Sequence, residues 1–205
     1  MARKLSVVFL LALVAGAVLA SPAAAMNLGR LIAPPAACPG QTGAQVSTAA
    51  REQAMRCMTN FARRHAGRGR LGDAEDLDRS ALDKVGDIVR CDSFSHYACG
   101  RQFTYWMQRV GYASGRCWRV GENLAWGIGE LGSVRAIFRA WIHSPEHRAN
   151  ILGHYSQIGI GLTVGRLDGH ADVDVWAQHF GSHCGQSRRP AVRRVAGVLD
   201  AHVAR

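Results

Sequence analysis

The run "WIHSPEHRANIL", Trp141 to Leu152, carries His143, Glu146 and His147 in the pattern H-x-x-E-H. One class of zinc peptidases uses this pattern to hold a metal between two imidazoles. That chemistry needs both rings one turn apart on a continuous helix, facing one ion. Pro145 stands between them. A proline disfavours the helical conformation of the preceding residue and has no N–H to donate. It is at home at the first position of a helix, with a serine before it as the cap. The spacing therefore predicts a helix ending near His143 and a new one capped by Ser144, with the two histidines pointing apart. His143 is then a surface residue at a helix end. His147 falls near a helix N-terminus, where the dipole disfavours imidazolium and leaves a neutral ring able to bind a metal or accept a proton.

Other candidate chemistry is weaker. "GIGELG", Gly127 to Gly132, fits the G-x-G-x-x-G pattern of dinucleotide loops. No parallel second strand with an acidic end follows it, so the glycines read as a turn. No G-x-S-x-G occurs, which removes the nucleophile-elbow hydrolases. The six cysteines, Cys38, Cys57, Cys91, Cys99, Cys117 and Cys184, form an even set. They read as three disulfides of an oxidising compartment, and sequence alone does not choose the pairing beyond tying Cys38 most simply to Cys57. A cysteine–zinc site would draw on Cys91, His96, Cys99, His179, His183 and Cys184, but no C-x-x-C pair supports it.

The elements that must position these residues follow an export signal. Residues 1–25 pair a basic start with the apolar run "LSVVFLLALVAGAVLA" and end in Ala23-Ala24-Ala25, the pattern of a secretory signal cleaved after Ala25. No transmembrane segment is expected in the mature chain. The whole chain has a formal charge of +10, and Lys84 is the only lysine beyond the signal. Such a charge suits anionic wall polymers or lipid surfaces, but the charges are scattered along the chain and read better as a compositional Ala/Gly/Arg bias. Nucleic acid is not expected as a partner without an aromatic-rich basic patch. Residues 26–46, rich in Pro, Gly and Ala, read as an extended N-terminal arm. Apolar periodicity predicts helices over 48–65, 75–89 and 101–112, with Phe103, Trp106, Met107 and Val110 inward in the third. A fourth starts at Ser133 with Val134, Ile137, Phe138 and Trp141 on one face. "GENLAWG" reads as a strand, and "SQIGIGLTVG" and "VDVWAQHFG" as an antiparallel hairpin. Helices first and strands mostly last make the chain α+β. Residues 185–205 form a basic C-terminal tail.

"FSH" (Phe94 to His96), "GENLAWG", "WIHSPEHRANIL", "IGIGL" and "WAQHFG" stand in an order that resembles the CAP superfamily (cysteine-rich secretory proteins, antigen 5, pathogenesis-related 1) in its bacterial short form. The match runs from about residue 47 to 181, within a domain expected over 47–184. The resemblance implies an α–β–α sandwich with a three-stranded antiparallel sheet between helical layers. It also implies a cleft of two histidines and two acids. These fall on His96, Glu122 and His147, while the position of the second acid is Ser144, with Glu146 the nearby carboxylate that could fill in. His96 and His147 become the candidate ligands of a weakly bound divalent metal such as zinc. Glu122 is either a third ligand or the acceptor that fixes a histidine tautomer. Arg148 and Asn150 are candidates for bonding loop backbone. The expected protein is a secreted, monomeric binding module for a lipid, sterol or cell-wall component; the alternative is a metal-assisted, peptidase-like hydrolase using the same cleft.

Overall fold

The computed structural model describes residues 27–43 and 46–184. The expected export signal and the basic tail lie outside the described residues. Helix α1 (Thr48–His65) starts where the Ser47 hydroxyl accepts the Ala50 N–H, and it buries Ala54, Met55, Met58 and Ala62. Helix α2 (Glu75–Arg90) has three acids in its first turn, which suits the positive end of its dipole. It buries Leu77, Ala81, Val85 and Ile88. Strand β1 (Gly72–Asp73) precedes α2; helix α3 (Tyr105–Arg109) and strand β2 (Trp118–Ile128) follow it. Helices α4 (Val134–His143) and α5 (Pro145–Ile151) lead to the hairpin of β3 (Gln157–Leu167) and β4 (His170–His183).

The sheet has four strands in the order β1-β3-β4-β2, one more than expected. The three long strands are antiparallel, and the two-residue β1 adds a parallel edge through Gly72 opposite Gln157. Helices cover both faces. Ile158, Ile160, Leu162, Trp176 and Phe180 pack with Met55, Met58, Phe138 and Trp141 of α1 and α4. On the other face, Leu124, Val173, Val175 and Ala177 meet Ala81, Val85 and Ile88 of α2. The glycines of "IGIGL" have a steric purpose there. A Cβ on Gly159 would collide with the Leu77 carbonyl carbon, and one on Gly161 with that of Ala81. The α2 backbone thus lies directly on β3.

The third helix is shorter than the periodicity predicts, and of its four inward candidates only Met107 is fully buried. Its place is fixed from outside: Arg101 and the Trp106 indole N–H both bind the buried Asp87 carboxylate of α2. The N-terminal arm is not simply extended. It makes two 3-10 turns, Leu28–Leu31 and Pro35–Ala37, and sends Leu31, Ala33 and Cys38 into the main core. All six cysteines pair, as Cys38–Cys57, Cys91–Cys99 and Cys117–Cys184, which removes the cysteine–zinc alternative. Among the described residues no helix is long and apolar enough to cross a membrane.

Candidate functional site

The break at Pro145 has the form its chemistry dictates. Helix α4 ends at His143, Ser144 is extended, and Pro145 opens α5 while the Ser144 hydroxyl accepts the His147 N–H at 3.5 Å. His143 turns back on its own helix, its Nδ1 2.8 Å from the Arg139 carbonyl. His147, half-buried, stands over Trp141. The two histidines of H-x-x-E-H have separate surroundings.

"GEN" holds the site together because each of its residues meets a different neighbour. Gly121 leaves room for the Tyr155 hydroxyl, which a Cβ would approach to 2.5 Å. Asn123 faces the α4/α5 layer and donates to the His147 carbonyl at 3.1 Å and to Gln178 at 3.2 Å. Asn150 of α5 donates in turn to the Glu122 carbonyl and to Asn123 Oδ1. Arg148 donates to the Ile142 carbonyl. These bonds fasten the short α5, and with it His147, to the edge strand β2.

Glu122 points the other way, into the α2 layer, and is buried. Its Oε1 lies 2.6 Å from His96 Nδ1, and its Oε2 lies 2.8 Å from His179 Nε2. The Lys84 ammonium stands 3.9 Å from Oε1 and donates to the His96 carbonyl at 2.6 Å. Burial works to raise the Glu122 carboxyl pKa. The hydrogen bonds from His179 and His96 and the charges around it outweigh that and hold it below the ordinary value. Burial lowers the Lys84 pKa, against the raising influence of Glu122 and Asp87.

An ionised Glu122 only accepts, so His96 carries its proton on Nδ1 and His179 on Nε2. His96 Nε2 is the nitrogen not engaged by Glu122. His179 Nδ1 lies 2.7 Å from the Ser80 hydroxyl oxygen, which donates to the Leu77 carbonyl at 2.9 Å. His96 is set on the loop closed by Cys91–Cys99 and its side chain is half exposed, whereas His179 is fully buried. The pKa of His147 is lowered, first by burial and then by the charge of His96; Glu146 opposes the shift. His96 and Glu122 are in direct contact, and His147 feels the charge of His96. Glu146 is exposed in the first turn of α5 and acts on His147 through its charge.

Sequence reasoning did not place Lys84, Ser80 and His179 in this cluster. The signal was present. Lys84 falls on the buried stripe of α2 with Leu77, Ala81 and Ile88, and His179 is a polar residue within the continuously buried run of β4. Among the described residues no three His, Cys, Asp or Glu side chains form a metal ligand set, consistent with both Glu122 oxygens being engaged by imidazoles. A groove of about 590 Å³ lies elsewhere, near the hairpin end of the sheet, lined in part by Arg51, Ile128, Glu130 and Asp172. The concentration of buried charge around Glu122, not cavity volume, singles out the His96/Glu122 cluster.

The pattern of the CAP family (cysteine-rich secretory protein family) matches residues 58–180. This chain belongs to that family. An outer surface protein of Borrelia burgdorferi is similar in structure, with a TM-score of 0.54 and 18% identity over 69% of this chain and 99% of its own. An extracellular SCP-domain protein of Bacillus anthracis (TM-score 0.47, 19% identity) aligns over 67% of this chain and 44% of its own length. A cysteine-rich secretory protein of Staphylococcus aureus (TM-score 0.46, 17% identity) aligns over 63% of this chain and 38% of its own. No curated protein matches the chain.

Proposed function

We propose that this protein is an exported binding module that receives an extracellular ligand, a lipid, sterol or cell-wall component, at the open side of the His96/His147 cleft. Export is supported by the signal pattern of residues 1–25 and by three disulfides, which persist in oxidising compartments. The similar Borrelia protein is an outer surface protein.

The observation that carries binding over hydrolysis is the engagement of Glu122. A metal-assisted hydrolase needs a free general base beside an activated water. Here the buried carboxylate accepts from His96 with one oxygen and from His179 with the other, which makes it an orienting group. A divalent ion such as zinc would be held by His96 Nε2 and the His147 ring, with water in its remaining positions. Two neutral imidazoles without a free anionic ligand make a weak site. Bound metal would polarise a ligand oxygen placed on it.

The test is ligand capture. The exported protein is incubated with lipid and cell-wall extracts, and bound molecules are identified by mass spectrometry for the wild type, His96→Ala and His147→Ala. Retention should fall in both variants; equal retention in all three proteins would overturn the reading. Zinc calorimetry on the same proteins checks the metal separately.

A further inference from the structure

A second site lies at the opposite edge of the sheet, away from β2 and the histidines. The sequence "ARRHAGRGR", Ala62 to Arg70, concentrates Arg63, Arg64, Arg68 and Arg70 at the end of α1 and in the turn that follows. One of them is structural. Arg63 is buried and donates to the carbonyls of Gly69, Ile151, Gly153 and Tyr155. The other three are exposed, and among the described residues none has a carboxylate within ion-pair distance.

Arg64 and Arg70 both line a pocket of about 210 Å³ on the outer stripe of α1, with Gln53, Arg56, Phe61 and Asp73. The acids near it are already engaged: Asp73 lies 3.6 Å from Arg56, which also pairs with Asp78. Arg64 and Arg70 are left uncompensated. The Arg64 guanidinium lies over the Phe61 ring, 5.6 Å from its centroid, and His65 stacks on that ring at 3.9 Å. The Arg63 pKa is pushed down to about 10, first by burial and then by the charge of Arg68.

We propose that this pocket is an anion site for a phosphate ester, with Arg64 and Arg70 donating paired N–H bonds to its oxygens. Guanidinium suits this work because its planar fork matches phosphate geometry. The phosphate could be carried by a lipid headgroup or by a soluble ester, and the site is independent of the His96/His147 cleft.

Two probes separate these sources: glycerol phosphate by calorimetry, and phosphatidylglycerol against phosphatidylcholine vesicles by co-sedimentation. The exported protein is compared with Arg64→Gln/Arg70→Gln and with a charge-matched control, Arg116→Gln/Arg139→Gln, with folding checked by circular dichroism. Binding of at least one anionic probe should fall roughly tenfold to thirtyfold in the first variant and hold in the control. Binding of glycerol phosphate identifies a soluble ester; binding confined to phosphatidylglycerol vesicles identifies a headgroup. The proposal is overturned if the wild type binds neither probe, or if both double variants lose binding equally, since net charge alone would then explain it.

Discussion

His179 Nε2 lies 2.8 Å from Glu122 Oε2, at the register position directly across from it on the neighbouring strand, with both side chains buried. The relationship makes Glu122 two-sided: one oxygen faces an imidazole sealed in the protein, the other an imidazole open to the cleft. It also gives the carboxylate a structural duty. Removing one partner of a buried charge pair leaves the other charge uncompensated. Glu122→Gln should therefore destabilise the fold by ~3 kcal/mol, read as a lower urea midpoint with an unchanged slope. Lys84→Met should cost less, because Glu122 keeps both imidazole donors. A Glu122→Gln midpoint at the wild-type value would deny the carboxylate this role.

Acid should weaken the protein in two stages. The folded His147 pKa lies below its ordinary 6.5, so between those values the unfolded chain binds the extra proton and stability falls as pH falls through that window. The folded Glu122 pKa lies below its ordinary 4.5. Its contribution is complete above 4.5 and is lost as pH falls toward the folded value. His147→Gln should flatten the first stage and leave the second. Urea midpoints measured from pH 7.5 to 3.5 check this, and an identical profile in the variant would assign the first stage to other groups.

The contact of α2 with β3 is equally exposed to test. Gly159→Ala would push a methyl into the Leu77 backbone and Gly161→Ala into that of Ala81. Backbone cannot rotate out of the way as a side chain can, so each should cost roughly 3 kcal/mol, the upper end of ordinary overpacking. Gly67→Ala, where nothing lies within 4 Å but φ is +68°, should show only the smaller penalty of a strained backbone. Thermal unfolding of the three variants measures the order.

Most of the scaffold was legible because it is written in local pattern. α1, α2, α4 and the hairpin declare themselves by apolar periodicity, and Ser47, Ser133 and Ser144 mark helix starts that carry their capping bonds. What was hidden is tertiary. β1 is two residues, Gly72 and Asp73, paired through backbone alone, so no side-chain pattern announces it. α3 is only five residues long, and the segment around it is held by Arg101 and Trp106 on Asp87, a partner remote in sequence. The cluster was half legible: the family resemblance named His96 and Glu122, which are in contact. Lys84 and His179 needed the register that sets α2 and β4 against Glu122.

The last prediction concerns the absent second acid. Ser144 caps α5 by accepting the His147 N–H, and it stands where the family resemblance places a carboxylate. Aspartate caps helices as well as serine does, and its charge suits a helix N-terminus. Ser144→Asp should therefore fold with undiminished stability while adding an anionic oxygen beside His147. Zinc affinity rises with the number of charged ligands, so calorimetry at pH 7 should find binding tighter by roughly tenfold. Ser144→Asn supplies the same cap without the charge and should bind zinc as the wild type does. Ser144→Ala loses the cap and should cost ~1 kcal/mol of stability. Adding His147→Ala to Ser144→Asp should abolish the gain, because the new carboxylate would lack its imidazole partner. Equal zinc affinity in the Asp and Asn variants would mean that residue 144 does not address the cleft, and that the pair His96 and His147 takes its ligands from elsewhere.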